Sequence, residues 1–265
     1  MSTAEFGVDV ARGDDGVVWL VLRNPARRNA VRFEMWEAIP GAVKAAVADP
    51  SVRVLVLRGD GEEAFTAGAD ISEFTTRRGD AAGAAAYEAT TIRAFDALMA
   101  VEQPVVAMIH GSCIGAGVAL AACADLRVAA DDARLQLPAA RLGLGYHFSG
   151  VERLVHLVGP SATAEIFFTA RQYTADEARR IGLLNQVVPK ADLERFTTEY
   201  ATAIAANAPL TVRAAKRAIV ESERDAGARD LGTLRRAIAA CFESADYAEG
   251  VRAFLEKRPP RFRGI

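Results

Sequence analysis

The chain has 265 residues, enough for one large domain or one domain with a small appendage. Hydrophobic residues make up 51% and charged residues 25%, a balance that buries a core and excludes a disordered polymer. A net charge of −2 excludes the overall basic character of proteins that bind nucleic acid or anionic membrane. Phe6 to Ala11 and Val17 to Leu22 flank the turn Gly13-Asp14-Asp15-Gly16, which predicts a hairpin. Met1 to Gly16 carries Glu5, Asp9, Asp14 and Asp15 and no apolar run, unlike a secretory signal. From Arg32 to Ala48 the apolar residues Phe33, Trp36, Ile39, Val43 and Val47 fall at helical spacing, with Pro40 as a point of kinking or restart.

Val52 to Leu57 reads as a buried strand and Phe65 to Asp70 as a loop of Gly and Ala. Tyr87 to Val101 reads as a helix facing inward through Ile92, Phe95, Leu98 and Met99. Val105 to Ile109 is a second buried strand, Gly115 to Ala124 a helix of small residues, and Leu126 to Ala130 a strand. The most apolar stretch, Val105 to Ala124, is interrupted by His110, Gly111, Gly115 and Gly117, so it reads as strand, loop and helix rather than a membrane span. After about Gly159 helical segments dominate: Ser161 to Thr169, Ala175 to Ile181, Leu193 to Asn207, Leu210 to Glu223 and Leu231 to Ser244. Only Gln186 to Val188 has strand character there. The pattern predicts an α/β core over residues 1–195 and a helical subdomain over residues 196–265.

Cys113, Cys123 and Cys241 form no CxxC pair, and His110, His147 and His156 form no HExxH. This argues against a disulfide framework and a metal site, and with the missing signal it predicts a cytoplasmic protein. Cys113 has no neighbouring base and reads as a packing residue.

Two segments share one design. Ala64-Phe65-Thr66-Ala67-Gly68-Ala69-Asp70-Ile71 and His110-Gly111-Ser112-Cys113-Ile114-Gly115-Ala116-Gly117 each leave a strand, pass through small residues and enter a helix or turn. Small residues admit a ligand close to the backbone, and a helix start supplies unpaired N–H groups and partial positive charge. Two such loops side by side can make an oxyanion hole; one alone reads more readily as tight strand-to-helix packing. Neither GxGxxG nor a GK[ST] ending is present, which excludes the common nucleotide-binding loops.

These residues carry a resemblance. Asn24-Pro25 with Arg28-Asn29-Ala30, the run Phe65 to Ile71, and the run His110-Gly111 through Leu120-Ala121 resemble the signature blocks of the crotonase (enoyl-CoA hydratase/isomerase) superfamily. Gly182 to Val188 and Tyr247 to Pro260 resemble its later segments, so the similarity spans residues 6–265. The resemblance implies a spiral of ββα turns with an acyl-CoA thioester bound between loops of the core. The oxyanion donors are then the N–H groups of Ala69 and Ala116. Ala67, Asp70 and Ile71 line the adenine end of coenzyme A, and Arg27 or Arg28 meets its phosphates. Phe254 and Lys257 match positions that reach a neighbouring subunit's ligand, in a homotrimer or dimer of trimers. Coenzyme A enters as part of the substrate, with no separate cofactor.

The chain departs from the family pattern at two places. The positions matching the two hydratase glutamates are Ala119, three residues after Ala116, and Ala139, after Pro138. A methyl group carries no proton, so ordinary hydration lacks its acid/base pair. The loop Leu142 to Gly150 offers replacements. His147 matches a position that is a catalytic aspartate in some relatives, and Tyr146 matches a tyrosine in a family decarboxylase. Histidine titrates near neutrality and serves as general acid or base. Three readings stay open: isomerase, lyase or atypical hydratase chemistry through His147 with Tyr146 assisting; a non-catalytic acyl-CoA binding protein; and ordinary hydration with groups from elsewhere. His110 reads as a structural residue at a strand end, and Glu73 and Glu88 as solvated carboxylates.

Overall fold

The computed structural model describes residues 5–265; the first four residues of the stretch read above for a signal lie outside it. Among these residues ten strands form two sheets. The chain opens with the hairpin β1 (Gly7–Arg12) and β2 (Val17–Arg23), antiparallel as the turn residues predict. Helix α1 (Phe33–Ala46) follows. Pro40 does not end it: the helix runs through, burying Met35, Trp36, Ile39, Val43 and Ala46.

Three turns of one plan come next. Strands β3 (Val54–Gly59) and β4 (Ala64–Thr66) lead through the short α2 (Phe74–Arg77) to α3 (Ala81–Met99). Strands β5 (Val105–Ile109) and β6 (Ser112–Ile114) lead to α4 (Ala116–Cys123). Strands β7 (Leu126–Ala130) and β8 (Arg134–Gln136) lead to α5 (Phe148–Thr169). The first strand of each turn joins a six-stranded sheet of order β1-β2-β3-β5-β7-β10, parallel from β2 onward. The second joins a four-stranded sheet of order β4-β6-β8-β9. Strand β9 (Gln172–Thr174), helix α6 (Ala175–Arg180) and strand β10 (Gln186–Val188) complete the core. This is the ββα spiral that the resemblance implies.

The inner strands β3 and β5 of the large sheet are apolar almost throughout because both their faces are covered, whereas the edge strand β1 is largely exposed. Leu55 and Leu57 face the inner core with Trp36, Phe65 and Leu98. Val54 and Val56, pointing the opposite way, meet Leu193, Ala201 and Ala205 of α7 (Leu193–Ala205). The division drawn at residues 195/196 therefore runs through a helix whose apolar face belongs to the core. Beyond α7 lie α8 (Pro209–Glu223), α9 (Leu231–Glu243) and α10 (Ala245–Leu255), the helical C-terminal region expected from the pattern.

Candidate functional site

Strand β4 runs into the first loop, and the backbone there is almost fully engaged. Ala67 donates its N–H to the Arg28 carbonyl at 2.9 Å, and Asp70 donates to the Val31 carbonyl at 3.0 Å. Gly68 donates to Thr66 Oγ1 at 3.0 Å, while its own carbonyl accepts from Val31 N at 2.7 Å. Of residues 67–70 only Ala69 donates its N–H to nothing.

The second loop ends at Gly115, whose backbone adopts φ 55 and ψ −115 as the cap of α4. Ala116 is the first residue of that helix, so its N–H has no intrahelical acceptor. The two loops touch: a Cβ built on Gly68 would lie 2.6 Å from the Ile114 carbonyl oxygen and 3.4 Å from Ala116 N. Gly68 sits at φ +94, a conformation L-residues avoid, so glycine is required here on both counts. Two unpaired N–H groups thus lie on adjoining backbones, the second at a helix start with its partial positive charge. Ala69 and Ala116 are both half-buried. Helix α4 allows this approach because its residues are small: a Cβ on Gly117 would lie 2.8 Å from Thr66 Cγ2.

Ala119 and Ala139 are 8% and 6% exposed. Ala119 is one turn into α4, and Ala139 opens the short 3-10 helix Ala139–Leu142. The chain before Ala139 is fixed to the second loop, because Gly115 donates its N–H to the Gln136 carbonyl at 2.7 Å. Both positions present methyl groups.

His147 caps α5, and its Nδ1 pairs with the Glu88 carboxylate of α3. Both side chains are partly exposed. Tyr146 packs edge-on against Phe167 with ring centroids 5.0 Å apart. Burial pushes its phenol pKa up, with a smaller contribution from Cys123, so it remains a hydrogen-bond donor over the ordinary pH range. A Cβ on Gly150 would lie 2.7 Å from the Tyr146 ring, so glycine there lets the ring lie flat against the start of α5.

The residues assigned to coenzyme A are placed differently from one another. Ile71 is 63% exposed beside the first loop. Asp70 is buried; its carboxylate accepts from Ser72 N at 3.1 Å and Ser72 Oγ at 2.7 Å, with Arg27 at 3.4 Å. Arg28 is exposed and in the left-handed region at φ 50. Phe254 on α10 is 83% exposed, and Lys257 lies in the turn just after that helix at φ 55.

Glu73 corrects an expectation: it is not solvated but buried, accepting from Arg32 Nε at 2.8 Å and Phe33 N at 2.9 Å. It ties the first loop to the start of α1. Glu88 is half-exposed but pairs with His147, a contact between residues far apart in sequence that no local pattern announces. His110 is buried, and its carbonyl accepts from Phe65 N at 2.8 Å. Desolvation, with the charges of Arg58 and Lys190, lowers its pKa to about 4. Cys113 is buried and its thiol pKa pushed up by desolvation, which suits packing and not nucleophilic attack.

The architecture defines a class, the crotonase-like α/β spiral, with two backbone loops meeting at its small second sheet. The family model described as enoyl-CoA hydratase/isomerase matches residues 12–264, and the chain belongs to that family. It is 36% identical to the crotonyl-CoA hydratase of Syntrophomonas wolfei over 92% of this chain and 93% of that protein. It is 32% identical to the 2,3-dehydroadipyl-CoA hydratase of Escherichia coli, over 94% and 95%. Among solved structures, an enoyl-CoA hydratase/isomerase family protein from Hyphomonas neptunium superimposes with a TM-score of 0.92 at 39% identity, covering 99% of both chains.

Proposed function

We propose that this chain binds an acyl-CoA thioester and polarises its carbonyl oxygen between the N–H groups of Ala69 and Ala116. The observation that carries the reading is the pair of unpaired donors on two loops in contact. Charge that develops on the thioester oxygen in an enolate strengthens both hydrogen bonds, and each such donor contributes about 2.7–4 kcal/mol of transition-state stabilisation. The proton is moved by His147, the one imidazole in the loop Leu142 to Gly150, with the protonated Tyr146 as a neighbouring donor. The chemistry is of the isomerase, lyase or atypical hydratase kind. Ala67 and Asp70 border the adenine through backbone and Ile71 through its exposed side chain, while Arg28 meets the phosphates. Phe254 and Lys257 complete the site of a neighbouring copy in a homotrimer or dimer of trimers. No cofactor beyond the coenzyme A of the substrate takes part, and the compartment is the cytoplasm.

A second reading rests on one observation: the buried positions 119 and 139, where the family resemblance places proton-carrying glutamates, are alanines. A protein that binds acyl-CoA without converting it fits that pair. Calorimetry with acetoacetyl-CoA against acetoacetate tests binding; equal or absent binding of both removes the acyl-CoA reading. Incubation with crotonyl-, dienoyl- and malonyl-CoA, read by mass spectrometry, separates the two readings. A product from any of them supports catalysis, and unchanged thioesters at saturating enzyme support the carrier.

A further inference from the structure

We propose that Glu88 is a positioning residue that holds the His147 imidazole in one tautomer, with Nε2 left as the hydrogen acceptor. This rests on the reading of His147 as the proton carrier. Glu88 stands on α3, whereas His147 is the cap residue of α5, so the contact is made by the fold and not by local sequence. The partner nitrogen is Nδ1. A neutral imidazole carries one hydrogen, and a carboxylate only accepts, so that hydrogen resides on Nδ1 and the Nε2 lone pair faces the other way. Glu88 also lies in the field of a cation. Arg78, which follows α2, lays its guanidinium over the Phe74 and Tyr87 rings at 4.2 and 4.0 Å, and it attracts the Glu88 carboxylate. On the other side the backbone of His147 is fixed by its neighbour Tyr146, wedged between Phe167 and Gly150. The line Arg78, Glu88, His147 runs from a buried stack to a half-exposed imidazole.

A partly exposed ion pair contributes little to stability, so anchoring alone gives no strong reason for a carboxylate at this place. Setting the tautomer does. A base must offer a lone pair to the substrate before it can return the proton, and an imidazole with its hydrogen on Nε2 fails at the first step. The base that it positions is worth about 10²–10⁴-fold, an upper bound on the loss when the carboxylate is removed.

The test uses the full-length protein labelled with 15N-histidine. It has three histidines, and His147→Ala identifies the signal of interest. The expected spectrum shows His147 protonated on Nδ1 with Nε2 unprotonated. In Glu88→Ala the signal moves towards the Nε2–H form, and kcat on the thioester converted in the crotonyl-, dienoyl- and malonyl-CoA panel falls about tenfold or more with KM unchanged. Glu88→Gln, whose amide oxygen still accepts, retains the Nδ1–H form and most of kcat. A wild-type His147 with its hydrogen on Nε2 overturns the proposal. So does an unchanged tautomer and kcat in Glu88→Ala when His147→Ala is inactive, a result that leaves the catalytic role of His147 standing. Unchanged turnover in His147→Ala overturns both.

Discussion

In the proposed oxyanion hole the working atom at Ala116 is a backbone N–H that no side chain replaces, and proline offers a direct way to remove it. Proline lacks the N–H and is well accepted at the first position of a helix, which is where Ala116 stands. Ala116→Pro should keep the fold and lower kcat by about 10²–10³, measured on whichever thioester the panel shows to be converted. Gly68→Ala attacks the same point through strain, because its new methyl meets the Ile114 carbonyl and φ is +94. A stability loss of about 1–3 kcal/mol is expected in urea unfolding. His110 yields a pH signature. Its pKa in the folded chain is about 4 against an ordinary 6.5, so the unfolded chain takes up the proton first. The stability this residue contributes is complete above pH 6.5 and is lost as pH falls towards 4. Between pH 7.5 and pH 5 the native protein should lose about 2 kcal/mol more than His110→Asn; parallel losses would show that His110 is not the group responsible. At this scale the sequence reveals residue types better than partners. The proposed donors at 69 and 116 come from the family resemblance of the two glycine-rich loops, but the burial of Glu73 by Arg32 and the pairing of Glu88 with His147 need the fold.

The strands β2, β3, β5 and β7 of the large sheet are legible because each is a run of five to seven mostly apolar residues, long enough to carry a pattern. Those of the small sheet are not. Strands β4, β6, β8 and β9 have three residues each, too few for a period of two to register, and β4 and β6 read as parts of loops. The start of α3 is hidden for another reason: Ala81 to Ala86 gives no apolar stripe, and the marker is Asp80, which accepts from Gly83 N at 2.7 Å. Helix α10 was visible only as a family-like C-terminus, its apolar residues facing outward. It clamps the chain end. Asp246 is buried and accepts from Arg263 N and Gly264 N, both at 2.7 Å. Glu249 accepts from Arg258 at 2.6 Å and Arg261 N at 3.0 Å, and these contacts, led by Arg258, hold its carboxyl well below the usual range. Asp246→Ala should release the tail. Trypsin would then cut after Arg261 and Arg263 faster than in the native protein, with a stability loss of about 1.5–3 kcal/mol. Equal cleavage rates would place the clamp elsewhere.

For the whole molecule, the balance of polar and apolar surface points to self-association. Helices α9 and α10 turn Phe242, Tyr247, Phe254 and Leu255 outward at 64, 52, 83 and 75% exposure. A run of this size on a protein of 28.2 kDa exceeds the scattered apolar residues of ordinary monomers. Light scattering should give a mass of three or six chains, and Phe242→Glu with Leu255→Glu should give one. A monomeric native protein would leave the outward face of α9 and α10 without a role in assembly. The same assembly would bring Phe254 and Lys257 to a neighbour's site, so the double variant should also weaken acetoacetyl-CoA binding. The α/β spiral and its helical extension were legible in the sequence at this scale, but the placing of α7 on the sheet was not, because its packing face is defined by strands far away in the chain.

The central claim is that the thioester oxygen sits between the N–H groups of Ala69 and Ala116, and a crystal structure with acetoacetyl-CoA tests it most directly. The account predicts the thioester oxygen at about 2.7–3.1 Å from both nitrogens, with the adenine beside Ile71. A thioester oxygen bonded to neither nitrogen, in a crystal where the ligand is fully occupied, would contradict it.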